Sequence, residues 1–180
     1  VGSSQILLSN LNGAPPTLTS NLLGGWAVVN GTEFASWTAP KGIGALNSAG
    51  YAGYTGTTIT AGSNPTQNIR LTANGAIGAA DTLNSLNMVG NINLTFAAAT
   101  NTLNIVSGGL LKSGANDNTI GATIGSGRLT SGGTAASLSE LFIMNNQNTL
   151  TVNSIIQDSG VVGASTRAVV AGAGTVAFSG

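Results

Sequence analysis

Three short phrases along the chain are written to one pattern: Asp81-Thr82-Leu83-Asn84, Asn101-Thr102-Leu103-Asn104-Ile105 and Asn148-Thr149-Leu150-Thr151-Val152. Each opens on a polar turn residue, continues with Thr and then alternates apolar with polar positions. Successive side chains of a strand point to opposite faces, so this alternation describes short strands with one apolar and one polar face. A face of one or two aliphatic residues is too small to bury itself and has to be stacked on others of its kind.

The same spacing recurs from Gln67 onward and predicts strands over 69–72, 83–89, 92–96, 103–106, 128–130, 141–144, 150–156, 168–171 and 175–178. Leu86 and Met88, Ile92 with Leu94 and Phe96, Leu103 and Ile105, Leu150 and Val152, and Val176 and Phe178 fall on shared faces, opposite Asn87, Asn93, Thr95, Asn104, Thr151 and Ala177. One side is expected to be buried and the other wet. Only 135–144 carries a competing helical period, with Leu138, Leu141 and Phe142 on one side; the strand reading is preferred there.

A β-sandwich sets longer strands with bulky inner residues about 10 Å apart, whereas a solenoid needs only an aliphatic residue or two per short strand. The expected fold is therefore all-β: a right-handed parallel β-helix (β-solenoid) with irregular coils, with an antiparallel β-sandwich or jelly roll as the alternative. Coils of about 20–25 residues place a further coil between the second and third phrases, around 120–130. Residues 1–65 hold all four prolines, both tryptophans and both tyrosines, and read as an aromatic- and Pro-containing part that continues or caps the solenoid. Residues 66–180 read as the coils, cut at the start of a repeat. The chain begins at Val1 without a charged leader and reads as an excerpt of a longer polypeptide.

Composition removes several classes of function. Only 6% of residues are charged, against about 25% in ordinary domains, and the 5 basic and 5 acidic side chains cancel. That leaves no electrostatic footprint for nucleic acid or an anionic membrane surface. With 0 Cys and 0 His, disulfides, thiolate- or imidazole-bound metals and His acid/base catalysis are absent. Every apolar run is interrupted well before roughly 18 residues, so no transmembrane segment is expected. A surface solvated by Ser, Thr, Asn and 27 Gly instead of charges is common in extracellular repetitive proteins.

The run from Ala80 to Gly180, with DTLNSLNMVGNINLTF, NTLNIVSGGLL, SGRLTSGG, NTLTVNSIIQDSG and GAGTVAFSG, resembles the β-helical passenger regions of bacterial autotransporters that bear autotransporter-associated β-strand repeats. Residues 24–35, GGWAVVNGTEFA, are similar to stretches preceding such repeats in some large secreted proteins. The resemblance implies an extracellular or cell-surface location on a bacterium and secretion with a translocator that this chain does not contain.

Candidate contact residues are few. Trp26, Phe34 and Trp37 lie close in sequence and suit either a carbohydrate-stacking platform or packing at an open solenoid end, and packing is the commoner use of such aromatics. Tyr51 and Tyr54 suit a surface loop, so Trp26, Trp37, Tyr51 and Tyr54 are the candidate carbohydrate or surface contacts. Glu33, Asp81, Asp117, Glu140 and Asp158 are scattered; Asp117 with Arg128, or Glu140 with Asp158, are the pairs that coiling could unite. The Gly-rich 121–127 lacks a P-loop Lys, and GANDN at 114–118 has one carboxylate, too few for calcium. Catalytic, metal and cofactor residues are therefore expected to be absent.

These residues predict a non-enzymatic extracellular structural or adhesive segment. A self-assembling fibre or sheath subunit, associating end to end or edge to edge, is the alternative, and a carbohydrate-binding or polysaccharide-degrading β-helix is a further one.

Overall fold

In the computed structural model, which describes residues 6–180, every regular element is a β-strand. β1 (Val28–Val29), β2 (Glu33–Thr38) and β3 (Gly42–Ala45) form an antiparallel three-stranded sheet. Residues 30–32 link β1 to β2: Asn30 and Gly31 lie at φ 54° and 68°, the left-handed pair that Asn-Gly tolerates best, and the Thr32 N–H closes the turn on the Val29 carbonyl at 3.1 Å.

From Ser63 the chain alternates between two parallel sheets in five passes. β4 (Ser63–Leu71) leads to β5 (Gly75–Ile77), β6 (Asp81–Met88) to β7 (Asn93–Phe96), and β8 (Thr102–Lys112) to β9 (Asn118–Ile120). The fourth pass has β10 (Arg128–Ser131) and β11 (Leu138–Asn145) before β12 (Thr149–Val152), and the fifth has β13 (Ile155–Ile156) and β14 (Ser165–Ala171) before β15 (Thr175–Phe178). β5, β7, β9, β12 and β15 make one sheet and the remaining strands of these passes make the other.

Register turns the sequence alternation into columns. Ile69, Leu86, Leu110, Ile143 and Val170 are successive neighbours in the larger sheet, as are Leu94, Ile120, Val152 and Phe178 in the smaller one. All but the last member of each column are fully buried in one apolar cluster, and each such side chain contributes about 1.5–3 kcal/mol by leaving water. The larger sheet bends between its two halves: register slips at Asn64/Asn68 and Leu83/Ser85, and in the fourth and fifth passes the strand is divided by loops 132–137 and 157–164.

The all-β expectation and nearly all predicted strands are present, and 135–144 holds strand β11 in place of the competing helix. Parallel pairing in both large sheets overturns the antiparallel sandwich as the main architecture. Three findings were not anticipated. β5 and β9 are too short to show a period, and the hairpin of residues 28–45 lies in the region read only by texture. The third phrase lies in the smaller sheet on β12, whereas the first two lie in the larger one on β6 and β8, which accounts for their uneven spacing.

The outer face of the larger sheet is also not wet where Asn87 sits. Asn87 is fully buried because the antiparallel sheet lies over the outer columns that contain Leu111 and Met144, and Leu22, Phe34, Leu46, Leu111 and Met144 form a second buried cluster. The backbones of Gly25 and Gly109 meet there, so close that a Cβ on Gly25 would overlap the Ser107 carbonyl. Residues 55–59 cover the edge of β4: Gly56 bridges Ile69, and Ile59 packs on the main cluster.

Candidate functional site

The division of the fourth pass creates a cleft. After β10 the chain turns at Gly132 and Gly133, both at positive φ, and runs out over the larger sheet before returning as β11. The Asn104 side chain clamps this loop, its amide donating to the Gly133 carbonyl at 2.9 Å and its oxygen accepting from the Gly133 N–H at 3.1 Å. Opposite the loop stands Trp26, carried by the segment that enters β1. Between them is a shallow, open depression of about 560 Å³, and this cleft is lined by Trp26, Val106, Ser107, Gly132, Ala135, Ser137 to Glu140, Phe142 and Arg167.

Trp26 is 52% exposed and Leu138 57% exposed, an unusual degree for large apolar side chains that line a concavity. Glu140 and Arg167 are register neighbours on β11 and β14, and the Arg167 guanidinium donates to the Glu140 carboxylate. The cleft thus offers an aromatic face, an apolar flank and a donor–acceptor pair of zero net charge. A second depression of about 350 Å³ continues from it, sharing Val106, Gly132 and Ala135, and is lined by Ser63, Pro65, Thr82, Asn104 and Thr134.

The other aromatic candidates lie elsewhere. Phe34 is fully buried in the second cluster. Trp37 borders a separate depression with Leu7, Leu8, Pro15 and Pro16, and its indole N–H is buried without a partner. The Tyr51 hydroxyl donates to the carbonyls of Lys41 and Gly42, each at 3.2 Å. Tyr54 joins the two sheet systems: its hydroxyl donates to Glu33 at 2.8 Å and accepts from Asn87 at 3.0 Å, and Arg70 stands 3.4 Å from the same carboxylate. Burial, more than the neighbouring Glu33 charge, pushes the Tyr54 phenol above its ordinary pKa.

Neither pair singled out from the sequence, Asp117 with Arg128 or Glu140 with Asp158, is bonded together. Asp117 accepts from the Thr149 N–H at 2.8 Å, Arg128 donates to Gln157 at 2.6 Å, and Asp158 accepts from the Thr166 N–H at 2.7 Å. Asp81 accepts from the Gly62 N–H at 2.5 Å. Among the described residues no three Asp or Glu converge as a metal site would require, and no helix is long and apolar enough to cross a membrane.

Arg167, Leu138 and Val106 were not anticipated as site residues. Opposite charges one pass apart were the signal that could have found the Glu140–Arg167 pair. Comparison with protein-family models, with curated proteins and with solved structures finds no match.

Proposed function

We propose that this chain is a coil segment of a right-handed parallel β-helix, and that it serves a large secreted or surface-displayed bacterial protein as a non-enzymatic structural and adhesive element. The observation that carries the reading is the inner aliphatic column Ile69, Leu86, Leu110 and Ile143, continuous across successive passes, which gives a stiff body from short strands. The resemblance of residues 80–180 to autotransporter passengers supports the location.

The carboxylates support a non-catalytic role. Each of the five is engaged by a backbone N–H, an Arg or the Tyr54–Asn87 network, and glycoside hydrolysis needs two of them facing one bond. The test is small-angle scattering and far-ultraviolet circular dichroism of the purified chain together with incubation on acidic and neutral polysaccharides. Five passes at about 4.8 Å each stack to only about 24 Å, so a compact all-β particle without new reducing ends or unsaturated products is expected; an expanded chain, helical content or cleavage products would reject the proposal.

A further inference from the structure

The geometry points to a linear neutral glycan as the ligand of the cleft, an inference that rests on the adhesive reading. Trp26 supplies the platform: an indole more than half exposed beside Val106 and Leu138 matches the flat apolar face of a pyranose ring. The Glu140–Arg167 pair sets the charge class. A sugar hydroxyl both donates and accepts, so it can bond the carboxylate and the guanidinium without parting them. An anionic or cationic group gains its counter-charge only by drawing Arg167 or Glu140 away from the other, which is left beside it as a like charge; the remaining lining side chains are uncharged.

Length follows from the second depression. Thr82 on β6 and Asn104 on β8 are register neighbours, and Ser63 on β4 pairs with Thr82, so this part of the groove runs across successive passes, along the stack. Its lining of hydroxyls, one amide and Pro65 carries no charge. The two volumes, about 560 and 350 Å³, both fall in the range of ligand-holding clefts, roughly 300–1,000 Å³. Together they have room for several linked rings, with the first stacked on Trp26 and the later ones beside Thr82 and Asn104, and with Val106, Gly132 and Ala135 lining both parts.

The experiment titrates the full chain with cellohexaose and laminarihexaose, with a hexameric oligogalacturonate as the acidic counterpart, by calorimetry and tryptophan emission. Saturable binding of a neutral hexasaccharide is expected, tightening from di- to hexasaccharide. Trp26→Ala should weaken it about tenfold or more, equivalent to about 1.4 kcal/mol, with Trp26→Phe in between. Ala135→Trp, which adds bulk where the two depressions share their lining, should weaken the hexasaccharide while leaving the disaccharide within about twofold. Circular dichroism of each variant guards against misfolding. Preference for the acidic oligomer, affinity independent of Trp26, or no binding by either neutral hexasaccharide overturns the inference. If the compact all-β particle persists in that last case, the structural reading survives without the adhesive one; if the chain is not folded as stacked sheets, the structural reading fails on its own test.

Discussion

Gly109 decides whether the antiparallel sheet stays on the stack. A Cβ at this position would lie 2.8 Å from Gly25 Cα and 2.8 Å from Phe34 Cε1, where ordinary contact begins at about 3.4 Å. The two surfaces must therefore part by about 0.6 Å in Gly109→Ala, a gap that forfeits a quarter or more of the dispersion well at each contact. Leu22, Phe34, Leu46, Leu111 and Met144 all bury themselves at this junction, at about 2 kcal/mol each. A quarter of that is about 2–3 kcal/mol, which agrees with the usual penalty of about 1–3 kcal/mol for overpacking.

The assay is urea unfolding with hydrogen exchange on β2 as a local reporter. At a slope of about 1–3 kcal/mol per molar urea, the midpoint should fall by about 0.7–3 M if unfolding is one transition. If the sheet undocks first, the loss appears as faster exchange of β2 amides before the stack melts. Gly78→Ala is the matched control: nothing lies within 4 Å of its Cβ position, so reduced freedom of the unfolded chain should leave it neutral or more stable by about 0.4–1 kcal/mol. An unchanged midpoint and unchanged β2 exchange in Gly109→Ala would refute the close-contact argument.

Three further outcomes follow from buried polar groups. Asn68 accepts from Asn84 at 2.7 Å and Ser85 at 2.8 Å while donating to the Ser20 carbonyl at 2.6 Å; Asn68→Ala orphans all three and should lower stability by about 3 kcal/mol or more in the same urea assay. Tyr54, with its pKa raised by burial and the Glu33 contacts, holds its proton in the folded state above about pH 10, where the unfolded chain releases it. Its contribution is complete below that pH and is lost as pH rises, so Tyr54→Phe should flatten the alkaline fall in thermal midpoint. Lys112 has its pKa lowered by burial, with Asp117 opposing, so between the lowered value and about 10.5 the unfolded chain binds more protons and stability rises with pH; Lys112→Met should abolish that rise and be less stable near pH 7 by about 1–3 kcal/mol through its two orphaned carbonyl acceptors.

The inner face was legible because alternation alone fixes it: Leu86, Met88, Leu94, Leu103, Ile105, Leu150 and Val152 are all buried as their spacing demands. What stacks on what was not legible, because the passes differ in length. Ile69 to Leu86 spans 17 residues, whereas Leu110 to Ile143 spans 33, so no fixed offset aligns Glu140 with Arg167 or places Trp26 beside them. The fate of Asn87 was hidden for a related reason. Its strand gives a polar face, and only the hairpin, some fifty residues upstream, makes that face an interior by bringing the Thr32 carbonyl to accept from Asn87 at 2.9 Å.

The low charge of the chain has a structural counterpart at the corner where the larger sheet ends. Lys112 and Asn145 occupy one register column, and both side chains do the same work. The Asn145 amide donates to the Asn148 carbonyl of its own turn at 2.9 Å and to the Thr175 carbonyl of the next pass at 2.7 Å. Lys112 donates to the Gly114 carbonyl of its own turn at 3.0 Å and to the Gln147 carbonyl of the next pass. A turn leaves carbonyls without ladder partners, and such acceptors need a donor when buried. An amide meets that need with no ionic desolvation, whereas the ammonium meets it at the expense of a depressed pKa. Asn is therefore the better answer wherever the corner is narrow enough for its shorter reach, and the many Asn residues of this chain follow from repeated turns as much as from its solvent-facing surface.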